Sequence, residues 1–137
     1  MNKTCIDEKN DRPVVVGYMR VSPDPDSKEP TLEIQQASIQ WVSKQLFPQG
    51  FLLILIADEA SGDLSLKHEG LEPGQYRQGL TYLAELIARG AVQHVCTYQF
   101  NQLTTSLSVW QEFTEGYLVK YGVSFIVSAE LLVPTPF

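Results

Sequence analysis

The sequence has little cysteine, no excess of basic charge and no long apolar run. Cys5 and Cys96 are the only cysteines in 137 residues. Two are too few for a disulfide scaffold or a cysteine metal site, so they read as unpaired thiols in a reducing compartment. Ten Lys plus Arg against sixteen Asp plus Glu leave a formal charge of -6. That balance argues against strong DNA or RNA binding by this domain alone, while a local basic site in an acidic body stays open. The apolar stretch Phe51 to Ala57 falls well short of the roughly 20 residues needed to span a bilayer. The segment Met1 to Asn10 is too polar for a signal peptide. The expectation is a soluble, cytoplasmic protein with no membrane partner. No Gly-rich phosphate loop with a Lys follows any expected strand, and no G-x-G-x-x-G follows the first. The usual grounds for an NTPase or a dinucleotide enzyme are therefore missing. His68 and His94 lack metal-ligand spacing and read as a loop residue and a structural strand residue. No metal or cofactor is expected.

What is present suits one domain with a real core, since 44% of residues are apolar and 19% charged. Residues 1–12 read as a loose lead, 13–132 as the domain and 133–137 as a Pro-rich tail that cannot continue as regular structure. Val14 to Met19 is a β-branched run that predicts a buried strand ending at Arg20-Val21-Ser22. Pro23 to Pro30 is a loop, because its prolines exclude regular structure. Thr31 can cap a helix carrying Ile39, Val42 and Leu46, which Pro48-Gln49-Gly50 stops. Phe51 to Ala57 predicts a strand buried on both faces. Asp58 to Tyr76 reads as a long loop, then Leu80, Leu83, Ala84 and Ile87 mark a second helix. Gln93 to Phe100 predicts a third strand, Ser106 to Lys120 a third helix, and Val123 to Val127 a fourth strand. Such alternation implies an α/β fold: a four- or five-stranded, mostly parallel sheet with helices on both faces. Trp41 and Trp110, each on a helix, read as core or interface anchors.

Sites in such sheets form at the carboxyl ends of strands. Three loops belong there, after Met19, Ala57 and Phe100. Ser22 beside Arg20 has the composition of a nucleophile aimed at a phosphate, held by charge-assisted bonds to the arginine; it is equally a turn serine beside a surface ion pair. Asp58-Glu59 offers either an acid–base pair or a solvated turn. Arg77 can reach the sheet end and join Arg20, or stand as an exposed cation. Asn101 to Ser106 carries no charge, and Thr105 is a candidate cap for the third helix.

Taken in order, V-V-G-Y-M-R-V-S (15–22), T-L-E-I-Q (31–35), D-E-A-S-G (58–62), R-Q-G-L (77–80) and Y-Q-F-N-Q-L-T-T-S (98–106) resemble the N-terminal catalytic domain of the serine recombinases, the resolvase and invertase family. The resemblance spans about residues 13 to 130. It implies a serine that attacks a DNA phosphodiester to form a phosphoserine link without a metal or nucleotide cofactor. It places Ser22 as the nucleophile, Arg20 and Arg77 as arginines at the scissile phosphate, and Asp58 as the acidic residue of the second loop. Gln35 falls where the family carries a polar residue near the site, and the resemblance implies that Gln35, Asn101, Gln102 and Thr105 contact DNA.

After strand three the family reads Asp-Arg-Leu-x-Arg, whereas Asn101, Gln102, Leu103, Thr104 and Thr105 stand here. The aspartate and both arginines are gone. Those arginines neutralise the charge of the pentacovalent phosphate, and each such donor is worth on the order of 10² to 10³ in rate. The expectation is a catalytically impaired core acting as an interaction or regulatory module. Its partner is a second copy or another protein, and its DNA binding is weak. The start and the Pro-rich end favour a stand-alone degenerate core over a fragment. The competing expectation is an active recombinase core using Ser22, with its DNA-binding part supplied from elsewhere. A third class is an unrelated flavodoxin-like domain that takes a small ligand at the same strand ends.

Overall fold

The computed structural model describes residues 12–132; the expected lead, with Cys5, and the Pro-rich tail lie outside them. Four strands, β1 Val14–Val21, β2 Leu52–Glu59, β3 His94–Thr97 and β4 Ser124–Val127, form one sheet in the order β2-β1-β3-β4. Every pairing is parallel. The helices are α1 Leu32–Leu46, α2 Gln78–Ala88, α3 Phe100–Leu103, α4 Leu107–Phe113 and α5 Ser128–Leu132. The single α/β domain expected from alternation is the fold observed, with a sheet of four strands.

Alternation along β1 builds a core on each face. Val16 and Tyr18 join Leu80, Leu83, Ile87, Val109 and Phe113 on one side. Val15 and Met19 join Ile39 and Cys96 on the other. Parallel strands need such cover on both faces. Cys96 is a free, buried thiol, and burial pushes its pKa up to about 12.

Local chemistry sets the helix boundaries. Thr31 Oγ1 accepts from the Ile34 amide and caps α1. Gly50 takes a φ of +121° after α1, a conformation L side chains rarely adopt. Ser106, rather than Thr105, caps α4 by accepting from the Val109 amide.

Three expectations need correction. β2 runs on to Glu59 and is an edge strand, with Leu52 and Ile54 exposed rather than covered on both faces; an unbroken apolar run does not say where in a sheet it lies. The third strand stops at Thr97, because Gln99 and Gln102 form a reciprocal capping box that starts α3 inside the expected strand. The third helix changes to a π-turn at Thr114–Leu118. The short α5 follows β4 directly and is tied to α1 by a 2.7 Å hydrogen bond between the Ser128 and Ser38 hydroxyls. Trp110 packs edge-on against Phe100 and also touches Phe125, whereas Trp41 is exposed.

Candidate active site

The carboxyl ends of β1 and β2 are in register, so Arg20 lies beside Asp58. Arg77, just before α2, reaches the same place. Both arginines are almost completely buried, at 2% and 0% exposure. A guanidinium there must satisfy its donors within the protein.

Asp58 holds the centre. Its Oδ1 accepts from the Gly79 amide at 2.7 Å, and its Oδ2 accepts from the Leu80 amide at 3.0 Å. The carboxylate thus caps α2 from across the sheet, where Arg77 at the N-cap position gives no side-chain cap. Gly79 is required, since a Cβ there would sit 2.8 Å from Asp58 Oδ1. Tyr18 adds a third bond, donating its hydroxyl to Asp58 Oδ2 at 2.5 Å. Burial pushes the Tyr18 pKa far up, Arg77 pulls it down, and Asp58 raises it again. The phenol therefore stays protonated.

Arg77 is a cross-brace. Its Nε and Nη2 donate to the Tyr18 hydroxyl at 3.0 and 2.8 Å. Nη1 donates to the Gly62 carbonyl, and Nη2 reaches the carbonyls of Gln102 and Leu103. Asp58 lies 3.7 Å away as its ion-pair partner. Arg20 is similarly placed. Nη1 donates to the Ala60 carbonyl at 2.9 Å, and Nη2 donates to the Asn101 carbonyl at 2.8 Å. Nη2 also lies 3.1 Å from a carboxylate oxygen of Glu29. Arg20 Nε is buried with no hydrogen-bond partner among the described residues. Two guanidinium groups are thus matched by two carboxylates, and the cluster carries no surplus charge.

Ser22 lies two residues beyond Arg20 at the same sheet end. It is half-buried, and its Oγ accepts from the Asp24 amide at 3.1 Å. Among the described residues this is the one hydrogen bond recorded for that hydroxyl, and no base contacts it. Gln35 is fully buried. It accepts from the Arg20 amide and donates to the carbonyls of Arg20 and Pro30, clamping the end of β1. Gln102 is also fully buried, with Oε1 accepting from the Gln99 amide. Asn101 and Thr105 are exposed; Thr105 gives its amide to the Gly62 carbonyl.

The sequence thus brings Arg20, Ser22, Asp58, Arg77 and the Asn101–Thr105 loop to one sheet end. Sequence reasoning missed Tyr18, Glu29, Gly62 and Thr104. Tyr18 alone carried a signal, as a phenol within an otherwise aliphatic strand. Gly62 binds the two loops, its carbonyl accepting from Arg77 Nη1, Thr104 Oγ1 and the Thr105 amide.

A groove of about 500 Å³ opens beside this cluster, lined by Pro23, Asp58, Glu59, Ser61, Tyr76 and Gln78 among others. Its lining includes two carboxylate side chains and no Lys or Arg. Among the described residues, no group of three His, Cys, Asp or Glu is placed to hold a metal ion. None of the described helices is long and apolar enough to cross a membrane.

The fold is that of the serine recombinase catalytic domain. Three solved structures share it. The N-terminal catalytic domain of TP901-1 integrase superposes with a TM-score of 0.62 at 22% identity, covering 85% of this chain and 79% of that one. The C-terminal catalytic domain of ISC1926 TnpA, an IS607-like serine recombinase, gives 0.57 at 28% identity, over 84% of this chain and 70% of that one. The first open reading frame of transposon ISC1904 from Sulfolobus solfataricus P2 gives 0.50 at 18% identity, over 90% and 70%. No family model matches the sequence, and no curated protein matches it.

Proposed function

We propose that this chain is a serine-recombinase-like core whose phosphoryl-transfer chemistry is silenced and which acts through protein–protein contact. The observation that carries this is the commitment of both site arginines. Arg20 and Arg77 are buried, each has a carboxylate partner, and their terminal N–H groups are spent on carbonyls of two segments, the loop after β2 and α3. The Asn101–Thr105 loop supplies no replacement cation. A phosphodiester approaching Ser22 would meet a neutral cluster flanked by Glu59. Transition-state charge would go unpaired, and donors aimed at that charge are usually the largest single term in such catalysis.

The second reading is an active strand transferase, in which Ser22 attacks the phosphorus, a DNA 3′-hydroxyl leaves with the proton, and a phosphoserine ester remains. The retained Ser22 favours it, as does the likeness to an IS607-like serine recombinase. Here Arg20 and Arg77 would contact the phosphate, Asp58 would orient them, Asn101 and Thr105 would face DNA, and Gln35 and Gln102 would hold the loops from behind.

Incubation with a random-sequence duplex pool, followed by denaturing electrophoresis, separates the two. The first reading expects no protein-linked DNA. An adduct formed by the native chain and lost in Ser22→Ala would overturn it.

A further inference from the structure

The loop of residues 22–30 leads from Ser22 toward α1 and brings Glu29 against Arg20. It carries Asp24, Asp26 and Glu29 against Lys28, and its prolines at 23, 25 and 30 restrict the backbone. Its turns are tied by its own side chains. Asp24 Oδ1 accepts from the Asp26 amide at 2.9 Å, and Ser27 Oγ accepts from the Glu29 amide at 3.2 Å. Gln35 fixes both sides of the contact. Its Oε1 accepts from the Arg20 amide, and its Nε2 donates to the carbonyls of Arg20 and Pro30. Glu29, the residue before Pro30, is thereby held against Arg20 by the fold.

Both carboxylate oxygens of Glu29 address one nitrogen, at 3.3 and 3.1 Å from Arg20 Nη2. Nη2 also keeps its bond to the Asn101 carbonyl. Arg20 Nε, on the same side of the guanidinium, has no hydrogen-bond partner among the described residues. Nε and Nη2 together form the fork that takes two oxygens of a carboxylate or phosphate. Half of that fork is unused here.

Of the two carboxylates at the site, Glu29 is the exchangeable one. Asp58 is buried and serves two amides of α2 and the Tyr18 hydroxyl besides Arg77. Among the described residues the Glu29 carboxylate has no recorded partner other than Arg20, and its side chain is 25% exposed. An ion pair open to water on one side is weak.

We propose that Glu29 is a built-in occupant of an oxyanion position at Arg20. The 22–30 loop shuts this arginine with its own carboxylate, and displacing Glu29 opens the Nε–Nη2 fork to a tetrahedral oxyanion of the phosphate class. Such an anion uses both nitrogens and satisfies the donor that Glu29 leaves unpaired. The inference rests on the reading of a silenced site, and it adds that the block at Arg20 is reversible and belongs to one residue. Arg77 is not released with it, because Asp58 stays in place.

Arginine Nε NMR of the full chain, titrated with inorganic phosphate at low salt, tests the proposal. The native chain should show no shift at Arg20. Glu29→Gln keeps the shape and removes the charge. Its Arg20 signal should move saturably, with phosphate affinity about 10-fold or more above that of the native chain, while the Arg77 signal stays. Glu85→Gln removes the same charge from an exposed site on α2 and should behave as the native chain does. Short duplex DNA as a second titrant separates the sources of the anion. A shift with inorganic phosphate alone assigns the position to a small free anion, and a shift with both assigns it to backbone phosphodiesters as well. Thermal unfolding gives an independent readout. At matched ionic strength, phosphate in place of chloride should raise the melting temperature of Glu29→Gln and leave that of the native chain unchanged, since an anion that binds only the folded state stabilises it. A folded Glu29→Gln chain that ignores phosphate overturns the proposal and leaves the silenced-site reading standing. So does a variant that fails to fold in phosphate as well as in chloride, because phosphate then does not replace the carboxylate. A native chain whose Arg20 signal already shifts with phosphate overturns the silenced-site reading, and this proposal with it.

Discussion

Arg77→Lys keeps the positive charge and loses the planar fork. The substitution therefore separates a brace from a simple cation. Arg77 serves the Tyr18 hydroxyl twice and the carbonyls of Gly62, Gln102 and Leu103. These acceptors come from β1, the loop after β2, and α3. One ammonium on a flexible stem can meet about two of them. Gly62 keeps its bonds from Thr104 and Thr105, so the uncompensated losses fall at Tyr18 or at the α3 carbonyls. An unsatisfied buried acceptor costs about 1–3 kcal/mol, and two of them give a destabilisation of about 3 kcal/mol. With a urea slope of about 1.5 kcal/mol/M for a domain of this size, the unfolding midpoint should fall by about 2 M with its slope unchanged. Urea titration followed by far-UV circular dichroism reads this. A loss below about 0.5 kcal/mol, the level of an ordinary surface change, would show that Arg77 does not brace the loops and would refute the reasoning.

Gly17→Ala should lower the melting temperature by about 3–10 °C, a cost of about 1–3 kcal/mol for overpacking, because its Cβ would lie 2.8 Å from Ile39 Cγ2 and 2.9 Å from Leu55 Cδ2; an unchanged scanning calorimetry trace contradicts this. His94 has its pKa lowered by burial below the ordinary 6.5. Its neutral form is the one the fold accepts, stacked on Phe47 and bonded to Ser124. The unfolded chain therefore takes up the proton first, and stability held above pH 6.5 should fall as pH drops below it. His94→Gln should flatten that part of the pH–stability curve, and an unaltered slope would assign it to other groups.

The sequence made most of the fold readable because β1 is dense in β-branched residues and the two longest helices stop just before Pro48 and Gly90. Val14 to Val21 and the Thr31-capped helix show this best. Readability failed where tertiary context decides. The Phe51–Ala57 run looks the same at the centre and at the edge of a sheet. A local capping box between Gln99 and Gln102 overrode the strand pattern. At the site, residue types identified which side chains gather but not what they do there. Arg20, Asp58 and Arg77 converge as motif order implied, yet their donors and acceptors turn inward. Gly62 takes up those donors through its main-chain carbonyl, which leaves no mark in a sequence.

The silenced-site account rests on guanidinium groups that are unavailable to phosphate, and arginine Nε NMR signals report this directly. Titrating the full chain with inorganic phosphate and then with short duplex DNA at low salt, where phosphate contacts are strongest, should leave the Arg20 and Arg77 signals in place, with Arg77 protected from solvent exchange. A saturable shift of both signals on adding DNA, absent with Arg89 on the exposed end of α2, would mean that the cluster opens to receive a phosphodiester, and the account would fail.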